Sequence, residues 1–63
     1  MKKCKGYYYE GKKKVEFEFG KFLEWGLESK LYRGQVHVNT VAIIEEENGH
    51  VITVRPNQME FYA

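Results

Sequence analysis

Near its C-terminal end the chain reads Thr40-Val41-Ala42-Ile43-Ile44-Glu45-Glu46-Glu47-Asn48-Gly49-His50-Val51-Ile52-Thr53-Val54, two β-rich runs joined by Asn-Gly. No short-range signal for a β-hairpin is stronger, because Asn and Gly both tolerate the positive φ that a tight turn demands. The feature predicts antiparallel β-structure and carries no chemistry of its own.

The rest of the chain extends the same pattern. Lys5-Gly6-Tyr7-Tyr8-Tyr9 is rich in strand-forming aromatics, and Glu10-Gly11-Lys12-Lys13 follows as a turn. Lys14-Val15-Glu16-Phe17-Glu18-Phe19 alternates charged and apolar with period two, which places Val15, Phe17 and Phe19 on a core face. Between Gly20 and Lys30 the apolar residues Phe22, Leu23, Trp25 and Leu27 fit neither period, so an irregular strand or loop is expected there, leading through Leu31-Tyr32-Arg33-Gly34 into Gln35–Val38. A phase shift near Asn39-Thr40 and the nearly continuous apolar run Val41 to Ile44 predict a bulge or a strand covered on both sides, His50 to Arg55 a return strand, and Met59 to Tyr62 a last strand after the break at Pro56-Asn57-Gln58. The expected fold is all-β with little or no helix: a single domain over residues 1–63, holding five antiparallel strands in a small barrel of the Src-homology-3 type or in an open meander completed by a second subunit.

A chain of 63 residues has a thin core, because a domain of that size buries only about 60% of the surface its unfolded form exposes. One cysteine, Cys4, excludes an internal disulfide and fits a reducing compartment. Ten aromatic residues and self-association are left to supply the missing stability, and a homo-oligomer is expected. No apolar run is long enough to span a bilayer and the lysine-rich start is not followed by a signal-peptide apolar stretch, so no membrane association and a cytoplasmic location are expected. Net charge is +1, yet residues 1–14 hold six lysines against Glu10 (+5) while the remainder holds four basic and eight acidic residues (−4). Every acidic residue is glutamate, which removes the commonest calcium-loop ligand, and neither a metal nor another cofactor is expected.

The segment Gly20-Lys21-Phe22-Leu23-Glu24-Trp25-Gly26, followed by Ala42-Ile43-Ile44-Glu45 and by Asn48-Gly49, Val51, Pro56 and Phe61, resembles a loose family of small phage and prophage proteins. In that family a short aromatic and glycine segment leads to a hairpin ending of the form A-I-V-E, D/N-G-x-V, P, F. The likeness covers about residues 20–62, and Leu23 stands where the family pattern has a polar or histidine residue. It implies a setting in a bacterial host cell and a binding role toward host proteins, nucleic acid or nucleotide signals, with no catalytic residue carried over.

Several clusters admit a functional reading beside a plainer one. Lys5, Tyr7, Tyr9, Lys12, Lys13 and Lys14, with Lys2, Lys3 and Tyr8 around them, combine phosphate-attracting cations with rings on which bases stack. The plainer reading is a core of alternate tyrosines behind a solvated lysine edge that resists aggregation. Glu45, Glu46 and Glu47 offer an anionic patch, but strand alternation splits them between two faces, so they make no compact metal cage. Counting outward from the turn sets His50 opposite Glu47 and gives His37 a partner near Met59 or Glu60, with no ordered nucleophile for either. Cys4 between Lys3 and Lys5 is either a lowered-pKa thiol or an inert one. Trp25, with Phe22, Leu23 and Leu27 around it, is either an exposed anchor of the kind found at interface hot spots or a plug for the end of the core.

These features point away from an enzyme and toward a protein that acts by occupancy. The expected partner is a host protein, bound through Phe22, Trp25, Tyr32, Glu45 and Glu47 and blocked stoichiometrically, as in inhibition of a defence or regulatory factor. The alternative is a nucleic acid or nucleotide signal held by the Lys5, Tyr7, Tyr9 and Lys12–Lys14 hairpin.

Overall fold

In the computed structural model, which describes residues 2–62, the elements are β1 (Lys3–Glu10), β2 (Lys13–Tyr32), β3 (Gln35–Glu45), β4 (Val51–Val54), a 3-10 turn at Pro56–Gln58 and β5 (Met59–Phe61). The strands form one antiparallel sheet in the order β4-β3-β2-β1-β5. Among the described residues no ladder joins β4 to β5, so the sheet is an open meander and not a closed barrel. Among those residues, too, no helix is long and apolar enough to cross a membrane.

Of the irregular strand or loop expected over Gly20–Lys30, the structure shows the strand, the middle of a single one of 20 residues. The mixed periodicity of its apolar residues has a local cause: β2 carries two extra residues relative to its neighbours. Cys4 pairs with Gly20 but Gly6 with Phe17, and Phe22 pairs with Ile44 but Glu24 with Ile43. Each bulge reverses the pleat, so Phe17, Gly20, Phe22 and Trp25 all fall on one side although they are spaced three, two and three residues apart. The first bulge also turns Phe19 outward, where it is 53% exposed and stacks on Tyr62, so of the three expected core residues only Phe17 is buried and Val15 is half-buried. β3 runs without a register break through Asn39-Thr40; successive Val41 and Ala42 are both buried, so the apolar run is a strand covered on both sides, and the break in its ladder lies in β2 opposite Ile43-Ile44.

The core is Cys4, Phe17, Ala42, Ile44, Ile52 and Val54, with Tyr8, Phe22, Met59 and Phe61 packed against it. Cys4 and Ile44 are wholly enclosed. Burial pushes the Cys4 thiol up, and its Sγ lies 3.6 Å from the Gly20 carbonyl oxygen, so the flanking lysines do not produce a reactive thiolate.

Two turns depart from the expected geometry. The loop after β3 is closed by Glu46 N donating to the His50 carbonyl at 2.8 Å and Gly49 N donating to the Glu46 carbonyl at 2.9 Å, with Gly49 at φ +87. Its three central residues are Glu47, Asn48 and Gly49, which sets His50 opposite Glu46 and not Glu47. At the far end of β2, Arg33 and Gly34 have φ of +51 and +77 and join Tyr32 to Gln35, the two-residue turn whose twist matches that of paired strands. His37 accordingly pairs with Lys30, far from Met59 and Glu60.

Candidate functional site

The register leaves one part of the sheet without cover. β1 pairs with β2 only up to Lys21, and β4 pairs with β3 only from Ala42. Beyond the Trp25–Ala42 pair, β2 and β3 continue as a two-stranded arm to the Arg33-Gly34 turn, and every residue from 29 to 40 is exposed. The arm gives the molecule its long dimension, in extents of 39 × 24 × 20 Å.

Facing residues on antiparallel strands share a side, so the arm's two faces follow from its pairs. One face carries Trp25 and Ala42, Leu27 and Thr40, Ser29 and Val38, and Leu31 and Val36. None of these eight residues is charged, and the face is the direct continuation of the core surface formed by Phe22 and Ile44. The opposite face carries Glu28 and Asn39, Lys30 and His37, and Tyr32 and Gln35. Lys30 pairs with Glu28 at 3.7 Å, and the Tyr32 ring lies 6.1 Å from His37 with the Arg33 guanidinium 5.3 Å over it.

Trp25 stands where the covered core ends and the arm begins. Its ring meets Phe22 at 5.0 Å and Phe61 at 6.3 Å, both edge to face, yet it is 49% exposed. It therefore plugs the core on one side and opens the apolar stripe on the other.

The other residues expected to bind a partner are dispersed. Phe22 joins Trp25, but Tyr32 lies at the arm's tip on the opposite face. Glu45 pairs with Lys21 on the outer side of the sheet, and Glu47 is in the β3–β4 loop. Sequence reading passed over Leu31, Val36 and Val38, and the signal that finds them is Arg-Gly between two alternating runs, a second hairpin turn beside Asn48-Gly49.

On the N-terminal hairpin the outer side does bring Lys5, Tyr7, Tyr9 and Lys14 together, with Tyr7 and Tyr9 edge to face at 6.0 Å and the Lys14 ammonium 4.5 Å over Tyr7. Lys12 lies in the turn and Lys13 pairs with Glu10. The cations are offset by acids: Lys5 contacts Glu60 at 3.4 Å and Lys14 contacts Glu16 at 3.9 Å. The adjoining open groove of about 440 Å³ is lined by Glu16, Glu18 and Glu60 against Lys5 alone. Its local charge is negative, which disfavours a phosphate-bearing ligand there.

Glu46 has a defined structural role. Tyr8 Oη donates to Glu46 Oε1 at 3.0 Å, tying β1 to the loop after β3. Burial, the hydrogen bond to Glu46 and the negative charges of Glu46 and Glu10 all push the Tyr8 phenol above its ordinary 10.0. The folded chain thus holds this proton more tightly than the unfolded chain. Its stabilising contribution is complete below the ordinary phenol range and is lost as pH rises through the raised value. Tyr8→Phe is expected to cost about 1 kcal/mol, the ordinary worth of a hydrogen bond and less than a dry bond to a charged acceptor, because the pair is only partly buried. It should also flatten the decline in urea midpoint above pH 10.0, and an unchanged alkaline slope refutes the assignment.

Among the described residues, no three His, Cys, Asp or Glu side chains converge as metal ligands. No protein-family model, curated protein or solved structure matches the chain.

Proposed function

We propose that this protein is a non-enzymatic binding protein that works by stoichiometric occupancy, with the β2–β3 arm as its docking element. The observation that carries the reading is the uncharged stripe of Trp25, Leu27, Leu31, Val36 and Val38, between 49% and 76% exposed on a projecting ribbon. Contiguous apolar surface of this kind marks interaction sites, and a two-stranded hairpin alone is marginally stable in water. The likeness of residues 20–62 to small phage and prophage proteins supplies the setting, the cytoplasm of a bacterial host, and the target class, a host defence or regulatory protein. Trp25 and Tyr32 are the anchors, being large rings with little conformational freedom to lose.

Immobilised protein incubated with nuclease-treated host lysate is expected to retain a specific protein, identified by mass spectrometry. The double variant Trp25→Ala, Tyr32→Ala should reduce retention at least about tenfold, since two anchor truncations each cost more than about 1 kcal/mol. Changing Lys12, Lys13 and Lys14 to Glu should leave it unchanged. Retention that survives the arm variant, or that needs intact nucleic acid and the three lysines, overturns this reading in favour of the N-terminal hairpin.

A further inference from the structure

The apolar face of the arm is open to water on a molecule too small to carry it without consequence. Trp25, Leu27, Leu31, Val36 and Val38 are 49, 76, 75, 69 and 60% exposed. Together they leave on the order of 500 Å² of apolar side chain uncovered, near the upper range for the largest patch of a monomer. Covering such a face from both sides removes about 1,000 Å², where specific interfaces begin. Both long edges of the arm also present unpaired backbone, because neither β1 nor β4 reaches past Lys21 and Ala42.

We propose that a second copy of this chain covers this face, the two arms packing face to face and antiparallel about a two-fold axis at the Ser29–Val38 pair. The inference rests on the reading of the arm as a docking element and names its first occupant. Three observations select that occupant. The face holds no charge among its eight residues, so a second copy meets it without like-charge repulsion. Closed two-fold symmetry is the commonest arrangement of soluble oligomers and needs one self-complementary patch, which this face supplies.

The third observation is steric and fixes the register. At the base of the arm the same side of the sheet is occupied by the rest of the core, including Phe61 against Trp25. Two parallel arms would drive those bodies into one another, whereas antiparallel arms send them to opposite ends. Overlap is then limited by each tip meeting the other copy's base. This sets Arg33 of one copy level with Trp25 of the other, Leu31 level with Leu27, and Val36 level with Thr40. The small Ser29 falls on the axis, where close approach of the two sheets is greatest. The dimer covers Trp25 and leaves Lys30, Tyr32 and His37 outward, so a host protein anchored on both Trp25 and Tyr32 must displace the second copy.

The test uses the purified full chain. Sedimentation equilibrium is expected to give twice the 7.5 kDa chain mass. Leu27→Lys and Leu31→Glu, both at exposed positions that leave the fold intact by circular dichroism, should each be monomeric. An equimolar mixture of the two should recover a mixed dimer, because position 27 of one copy lies level with position 31 of the other. In Ser29→Cys a short bismaleimide should join two copies, while Lys30→Cys, on the opposite face, should not be joined. The native Cys4 is enclosed and does not interfere. A wild-type monomer at all concentrations overturns the inference, as does a dimer that survives both leucine variants, which would place the interface elsewhere. A mixture that stays monomeric overturns the antiparallel register. A monomer that still retains a host protein through Trp25 and Tyr32 defeats this inference alone, and a dimer that retains none defeats the occupancy reading alone.

Discussion

Ile44→Ala is expected to remove roughly half or more of the chain's stability. Ile44 is fully enclosed, and its β3 position pairs with Phe22 of β2 on one side and Ile52 of β4 on the other. Truncating such a side chain removes its transfer free energy and leaves a cavity, at a combined cost of about 2–5 kcal/mol. The total stability of a domain this size is roughly 3–9 kcal/mol, so the loss is comparable to the whole. The Cγ2 methyl also lies 2.6 Å from where a Cβ on Gly20 would stand, which shows how little slack surrounds it. Urea unfolding followed by circular dichroism should show the midpoint falling by roughly half or more. A shift no larger than that of an exposed control outside the arm, Val51→Ala, contradicts the assignment of this core.

Gly6→Ala should detach the end of the sheet. A Cβ added at Gly6 would run into the Gln58 carbonyl oxygen and stand 2.8 Å from the Met59 Cα. These are backbone atoms that no rotamer change can move, so the expected cost is about 3 kcal/mol or more, at or beyond the upper end for overpacking. β5 is only three residues long and is held to β1 at Cys4, Lys5 and Gly6. Displacing it withdraws Met59 and Phe61 from the core and Phe61 from the Trp25 ring. Trp25 fluorescence should shift to the red with a lowered urea midpoint. Gly11→Ser, with open space around its Cβ position, separates this steric effect from turn strain. Equal losses at the two glycines, with no change at Trp25, contradict the proposed cause.

The parts of the fold that were legible in the sequence were those governed by local rules. Asn48-Gly49, Gly11-Lys12 and the Pro56 break mark chain reversals and ends of pairing through backbone preferences that neighbours scarcely alter. The alternation of Lys14–Phe19 was legible only as far as Phe17, because period two holds until a strand gains a residue. A bulge is decided by what the partner strand needs to bury. Phe19 turns outward because Gly20, which lacks a Cβ, lets Ile44 and Phe17 close over that point. Leu23 is the extra residue between Phe22 and Glu24 on the β3 side.

The candidate site was legible in part. Trp25 was marked by its type and its glycine neighbours, and the structure places it at the junction of core and arm. Leu31, Val36 and Val38 resemble ordinary core residues in sequence, since nothing local reveals that β1 and β4 stop short of them. Glu45 and Tyr32 were grouped with Trp25 by chemistry alone, and pleat parity sends both to other faces.

The extra residue at Leu23 has a consequence for how such a chain can change over generations. It lies outside the pairing: Phe22 and Glu24 face consecutive residues of β3, so losing Leu23 alone would restore plain alternation and leave every downstream pair on the side it now occupies. A one-codon deletion there is thus absorbed locally, and a lineage could shed or regain that residue without turning the oily stripe away from the body.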